Sequence, residues 1–169
     1  MVIERLSKRH ERRAFDCGEE SLNRFLREMA RQRADRDLGI TFVAVPEPGS
    51  PVVVGYYTLV TATVSPAVVP DGSLPGQHDV PVIRLARLAV DRGWQGQGVG
   101  ERLLFHALYR VQRVAEEVGV YAVVVDALHE RARGFYERYG FHSLGDDRQH
   151  LYMTLKVVRA LHLHPMGSG

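Results

Sequence analysis

The sequence predicts a mixed α/β fold, a single domain built around one sheet. Three patterns predict it. Short apolar runs of strand length recur from the first residues to the last. Between them lie stretches whose apolar residues repeat at helical spacing. One strand runs directly into a glycine-rich loop that opens a helix, a layout α/β proteins use to hold anions.

Val2 to Leu6 reads as the first strand. Leu22, Phe25, Leu26 and Met29 recur at i, i+3, i+4 and i+7 and predict an amphipathic helix, with Ser21 or Asp16 to cap it. Arg24, Arg27 and Arg31 fall on another face of that helix. Ile40 to Val45 and Pro51 to Val60 read as two strands joined by a Pro-Glu-Pro-Gly turn. Val64 to Val80 is rich in proline and glycine and reads as a long loop, a functional lid or wall.

Pro81 to Val90 is the next strand, with Arg84 and Arg87 interrupting its apolar residues. After the glycine loop, Leu104, Ala107, Leu108, Val111, Ala115 and Val118 predict a helix that opens near Gly100 and closes on Gly119 as its C-cap. Tyr121 to Val125 is a continuous apolar run, as a strand buried on both faces requires. His129 to Tyr139 is a short helix closed by Gly140. Leu151, Met153, Leu155 and Val157 alternate and give the last strand. Residues 1–161 therefore form one domain, and 162–169 a flexible tail.

Composition narrows the class. At 169 residues, 45% apolar and 25% charged, the chain is an ordinary globular protein. No apolar run reaches the roughly 20 residues that a membrane-spanning helix needs. The N-terminus lacks a signal-peptide layout, and the single cysteine, Cys17, cannot form an internal disulfide; both point to the cytoplasm. The net charge of +2 is unevenly spread: ten Lys/Arg against seven Asp/Glu up to Arg36, then twelve against thirteen. Arginine supplies nearly all the positive charge, since only Lys8 and Lys156 are lysines. Such a surface suits either an anionic polymer or plain solvation. The eight histidines lack metal-ligand spacing, so no metal is expected.

The loop Gln95-Gly96-Gln97-Gly98-Val99-Gly100 carries the chemistry. Unpaired N–H groups at a helix N-terminus favour an anion, and glycines let it approach the backbone. A P-loop would need Gly-Lys-Ser/Thr, but Gly100 is followed by Glu101-Arg102. A dinucleotide fingerprint would need Gly-x-Gly-x-x-Gly inside an early βαβ unit, which is absent.

The loop resembles the Gln/Arg-x-x-Gly-x-Gly/Ala signature of the GNAT acetyltransferases. Leu88-Ala89-Val90-Asp91 resembles the strand that leads into it. Ala132-Arg133-Gly134-Phe135-Tyr136-Glu137-Arg138-Tyr139-Gly140-Phe141 resembles the family's A-x-x-F-Y-x-x-x-G-F segment. The resemblance implies a GNAT fold, with a mixed central sheet, splayed parallel strands and flanking helices. It implies acetyl-CoA as cosubstrate, held by Leu88, Ala89, Val90, Gln95, Gly96, Gln97, Gly98, Val99, Gly100 and Glu101. The pantetheine arm would pair with Leu88 to Val90, whose backbone N–H would also stabilise the oxyanion. Tyr136 would be the catalytic acid that protonates the leaving thiolate, with Tyr139 the lesser candidate. No general base stands out; Asp126, His129, Glu130 and Glu137 lie nearby in sequence.

Phe15-Asp16-Cys17-Gly18, then Leu22, Phe25 and Leu26, Gly55-Tyr56-Tyr57-Thr58-Leu59, the Pro-rich loop, and Arg84 to Val90 resemble the toxin-type GNATs of bacterial toxin–antitoxin pairs. That subfamily acetylates the α-amino group of aminoacyl-tRNA, blocks translation and is neutralised by an antitoxin, often a ribbon-helix-helix protein. The resemblance thus implies charged tRNA as substrate, with Arg24, Arg27, Arg31, Arg84 and Arg87 on its phosphates, an antitoxin partner, and a homodimer as a further assembly. An α-amino group has a pKa near 7.7–8.0, so water suffices as base. A GNAT acting on a small amine or protein N-terminus, a DNA co-repressor component, and a nucleotide-binding module are the competing readings.

Overall fold

The computed structural model describes residues 1–70, 74 and 78–166. Seven strands form one mixed sheet in the order β1-β2-β3-β4-β5-β7-β6. The chain divides into two compact units. One comprises residues 1–60, 86–109 and 164–169, the other 61–85 and 110–163.

In the first unit, β1 (Val2–Arg5) pairs antiparallel with β2 (Ile40–Val45), which pairs antiparallel with the start of β3 (Gly55–Val64). β2 matches the predicted strand residue for residue. β3 begins later than predicted, at Gly55 instead of Pro51. Pro51 has no N–H for a ladder, and Val52 makes only an isolated bridge to Glu11. The first helix is α1 (Glu20–Arg24), a π-helical turn (Phe25–Met29) and α2 (Ala30–Asp35). The π turn inserts a residue into the helical repeat. The predicted core position Met29 is therefore turned out, 41% exposed, and Ala30 is buried in its place. The Arg12 guanidinium donates to the Leu26 and Arg27 carbonyls of this turn, at 3.4 and 3.1 Å. Neither Ser21 nor Asp16 caps α1: its N-cap is Glu19, with no side-chain hydrogen bond. Phe25, Leu26 and Ala30 join Phe15, Val43, Val45, Val53, Tyr56 and Ala89 in one apolar cluster.

In the second unit, β4 (Val80–Val90) pairs parallel with β5 (Ala122–Asp126), from Val82↔Ala122 to Leu85↔Val125. β5 pairs antiparallel with β7 (His150–Thr154), and β7 with a two-residue strand, β6 (His142–Ser143). Leu155 and Val157, read as the end of the last strand, lie instead in α5 (Leu155–Ala160). The Thr154 side chain accepts from the Val157 N–H and starts that helix, which buries Leu155 and Val158, one helical turn apart. Between β5 and β6, α4 (Glu130–Arg138) is capped by His129, which accepts from the Ala132 N–H at 3.1 Å. It is closed by Gly140 at φ +101°.

The helix after the glycine loop, α3 (Val99–Val114), stops five residues short of the predicted Gly119 cap. Its buried stripe ends at Val111, and Val114 and Val118 are exposed, so nothing apolar extends it. Gly119 is not among the left-handed glycines. The loop predicted from Val64 to Val80 is shortened at its start, where β3 continues to Val64 and a 3-10 turn spans Pro66–Val68. Its residues 71–73 and 75–77, like the tail residues 167–169, lie outside the described residues. Among the described residues, no helix is long and apolar enough to cross a membrane.

Candidate active site

The glycine loop begins where β4 ends. The Asp91 carboxylate accepts from the Gly93 N–H at 2.9 Å and caps a 3-10 turn, Arg92–Trp94. Gly96 and Gly98 follow at φ +78° and +80°, in the left-handed region that L side chains avoid. A Cβ at either would meet nothing within 4 Å, so the loop's outer surface is open. The Arg102 N–H donates to the Gly98 carbonyl at 3.2 Å, closing the first turn of α3. The N–H groups of Val99 and Gly100, in that first turn, have no intrahelical acceptor. These groups, with the positive end of a 16-residue helix behind them, can hold a pyrophosphate.

What seats the loop is the packing of α3. Val99, Leu103, Leu104, Ala107 and Leu108 are buried. The helix approaches β3 at Gly55, where a Cβ would stand 2.8 Å from Leu103 Cδ1, 3.1 Å from the Ala89 carbonyl and 3.2 Å from Val99 Cγ1. The other end is seated by Gln95. Its side-chain amide donates to the Val90 carbonyl at 2.9 Å and the Cys17 carbonyl at 3.1 Å. The Gln95 side chain is thus a brace, which leaves its backbone N–H as the group able to meet an anion. Gln97 is used in the same way, donating to the Gly93 carbonyl at 3.2 Å. Leu88, Ala89 and Val90 close β4 beyond its parallel register with β5, and Glu101 lies in the first turn of α3.

In the second unit, Tyr136 sits on the buried face of α4, 6% exposed, its ring edge-on to Phe141 at 5.5 Å and to Phe135 at 5.3 Å. Burial raises its pKa above the ordinary tyrosine value, and the Asp126 carboxylate raises it further. The hydroxyl thus keeps its proton at neutral pH and is present as a hydrogen-bond donor. Tyr139, one turn on, is half-buried and stacks edge-on against Phe135 at 5.1 Å. The Asp126 carboxylate at the end of β5 is gripped by Arg84 from β4 and by His150 from β7. Periodicity could not reveal this three-strand clamp, because its members are 42 and 24 residues apart. The register that places Asp126 opposite His150 creates it. Among the described residues, no group of three or more His, Cys, Asp or Glu is placed to hold a metal ion.

The five candidate arginines divide. Arg24 and Arg27 lie on the first helix in surface pairs with Glu28 and Glu20. Arg31 follows on α2, close enough to Arg12 to lower that guanidinium's pKa, after burial. Arg87 lies over the Phe25 ring, its Cζ 3.6 Å from the centroid, and burial lowers its pKa. These four belong to the first unit, while Arg84 belongs to the second.

A family profile described as an acetyltransferase (GNAT) domain matches residues 16–155. A tRNA-acetylating toxin of Mycobacterium tuberculosis is 37% identical over 158 residues, 93% of this chain and 93% of that one. AtaT complexed with acetyl-methionyl-tRNAfMet superposes with a TM-score of 0.88 at 32% identity, covering 95% of this chain and 98% of that one. A tyrosine-to-phenylalanine mutant of the AtaT toxin, bound to the C-terminus of the antitoxin AtaR and acetyl-CoA, superposes at 0.81 with 30% identity, covering 96% and 98%. Matched over this length in both sequence and fold, the chain belongs to the GNAT acetyltransferase family.

Proposed function

We propose that this protein transfers the acetyl group of acetyl-CoA to the α-amino group of an aminoacyl-tRNA and acts in the cytoplasm as a translation-blocking toxin. The observation that carries the donor half is the open left-handed loop at Gly96 and Gly98, with the first-turn N–H groups of α3, which have no intrahelical acceptor, behind it. The acceptor half is supported by the curated relative named a tRNA-acetylating toxin and by the fold shared with AtaT bound to acetylated tRNA. An antitoxin of ribbon-helix-helix type is the proposed partner, supported by the AtaT toxin seated on the antitoxin AtaR; a homodimer is the proposed assembly.

The pyrophosphate takes the backbone N–H groups from Gln95 to Glu101, and the pantetheine arm lies along Leu88, Ala89 and Val90, one of whose N–H groups receives the oxyanion. The neutral amine attacks the thioester carbonyl carbon. The C–S bond breaks, and the departing thiolate takes the proton of the Tyr136 hydroxyl. The proton lost by the ammonium goes to water, which suffices for a group whose pKa is near 7.7–8.0; the second proton, shed by the nitrogen once the C–N bond has formed, passes through water to the Tyr136 phenolate and restores the acid. Arg24 and Arg27 contact tRNA phosphates, exchanging their exposed carboxylate partners for them, and Arg31, Arg84 and Arg87 add positive charge.

Incubation with labelled acetyl-CoA and total charged tRNA tests this. Label should appear on the aminoacyl end and be absent from uncharged tRNA, and expression without an antitoxin should arrest growth. Replacing Arg24 and Arg27 together by Glu should raise KM for tRNA and lower the salt slope by roughly 0.7–0.9 for each phosphate no longer bound. Acetylation of small amines or protein N-termini, with no salt-dependent tRNA affinity and no growth arrest, would refute the tRNA assignment and leave the acetyltransferase intact.

A further inference from the structure

A turn in the N-terminal region holds both the first helix and the donor loop. Asn23 of α1 is 4% exposed, and its side-chain hydrogen bonds are spent on this turn. Its Oδ1 accepts from the Cys17 N–H at 2.9 Å, and its Nδ2 donates to Asp16 Oδ1 at 3.0 Å. The Asp16 carboxylate also accepts from the Gly18 N–H at 2.9 Å, and these bonds hold its pKa below the ordinary carboxylate value. Gly18 is left-handed at φ +92°, and a Cβ there would press on Arg92 Nε at 3.3 Å.

The turn's other side meets the loop. The Asp16 N–H donates to Asp91 Oδ2 at 3.0 Å, the Arg92 N–H donates to the Asp16 carbonyl at 2.8 Å, and Gln95 donates to the Cys17 carbonyl at 3.1 Å. The Asp16 carboxylate also faces Arg92 Nε at 3.7 Å. Past Gln95 the loop is braced from within, by Gln97 on the Gly93 carbonyl, while a Cβ at Gly96 or Gly98 would touch nothing. A glycine-rich loop of this kind is as well ordered as its two ends. Gly55 and α3 fix the far end, and the Asp16–Gly18 turn fixes the near one.

We infer that Asn23 and Asp16 are positioning residues for the acyl donor, fixing the near end of the glycine loop so that its backbone N–H groups meet the donor's pyrophosphate. This rests on the proposed donor site. Neither residue touches the donor; both act through Asp91, Arg92 and Gln95.

The test compares two donors: acetyl-CoA, and acetyl-pantetheine, which has the same thioester without pyrophosphate or nucleotide. For Asn23→Ala, KM for acetyl-CoA should rise about tenfold, equivalent to about 1.4 kcal/mol. Its kcat should hold, and turnover of saturating acetyl-pantetheine should equal wild type. Asp16→Ala should behave alike. Asp16→Asn keeps an oxygen to accept from Gly18 and Asn23 and should restore most of the acetyl-CoA KM. Were Asn23→Ala not to fold, the exposed Asp16 position would carry the same comparison. An equal fall with both donors would make these residues general supports of the fold and overturn the inference, as would an unchanged KM for acetyl-CoA. A wild-type enzyme that does not prefer acetyl-CoA over acetyl-pantetheine would instead overturn the donor site itself.

Discussion

Replacing Gly55 by Ala tests how closely α3 is seated on β3. The added methyl would stand 2.8 Å from Leu103 Cδ1, 3.1 Å from the Ala89 carbonyl and 3.2 Å from Val99 Cγ1. Leu103 is fully buried and cannot swing its tip into solvent, and the Ala89 oxygen belongs to β4 and cannot yield. Overpacking of this kind costs about 1–3 kcal/mol. The alanine also reduces the freedom of the unfolded chain, which returns about 0.4–1 kcal/mol because Gly55 is not left-handed. At the middle of these ranges the net is a loss of about 1.3 kcal/mol, or about 3–5 °C in Tm for a chain of this size. Because the relief available is a small outward shift of α3, KM for acetyl-CoA should rise while kcat holds. Calorimetric unfolding and donor kinetics read both effects. A double-mutant cycle with Leu103→Ala should show strong non-additivity, since removing the leucine tip removes the closest approach. A Tm at or above wild type would show that backbone entropy dominates, and would refute close seating as the reason glycine stands here.

Other expectations follow from the same geometry. Gly98→Ala should cost about 1 kcal/mol through its positive φ without a clash, whereas Gly98→Asp should also weaken acetyl-CoA binding in calorimetry, because a carboxylate then faces the pyrophosphate. Tyr136→Phe should lower kcat by on the order of 10²-fold with acetyl-CoA affinity unchanged, and Tyr139→Phe should do much less; the reverse ranking would move the acid to the other face of α4. Alkaline pH should destabilise the fold. Burial raises the pKa of both Tyr56 and Tyr136 above the unfolded value near 10, so the stability they contribute is complete below pH 10 and lost as pH rises toward their folded values. Tm measured from pH 8 to 11 should fall above pH 10, and less steeply in Tyr136→Phe.

What the sequence made legible was local. Strand β2 and the closing Gly140 follow from alternation and from one residue's φ preference, and neither needs a distant partner. The glycine loop could be proposed as an anion site from sequence because the chemistry such a site needs lies in consecutive backbone groups. The misses have longer reach. Met29 fits the helical repeat as well as Ala30 does, and only the π turn, held by Arg12 from outside the helix, decides between them. Leu155 and Val157 continue an alternating pattern, but a threonine cap converts it to helix. Gln95 and Gln97 were legible as members of the loop but not as its braces, since their acceptors are carbonyls that no pattern marks. Asn23 gave no signal at all, because its partners lie in a turn outside its own helix.

The arginines show why charge counts alone could not define the acceptor surface. Arg87 is counted with the rest, but its guanidinium is spent on the face of Phe25, in the cluster that anchors the first helix, so its removal loses packing as well as charge. Arg84 is held by the Asp126 carboxylate, whose field also reaches Tyr136; changing it alters the surroundings of that tyrosine as well as the surface charge. Arg24 and Arg27 differ in kind. Their partners Glu28 and Glu20 are exposed, and exposed pairs contribute little, so an arriving phosphate can displace the carboxylates at small cost. Salt-dependent affinity for a polyanion should therefore concentrate on the first helix. That helix also carries Asn23, so the element bearing these two exchangeable pairs is the one hydrogen-bonded to the turn beside the glycine loop.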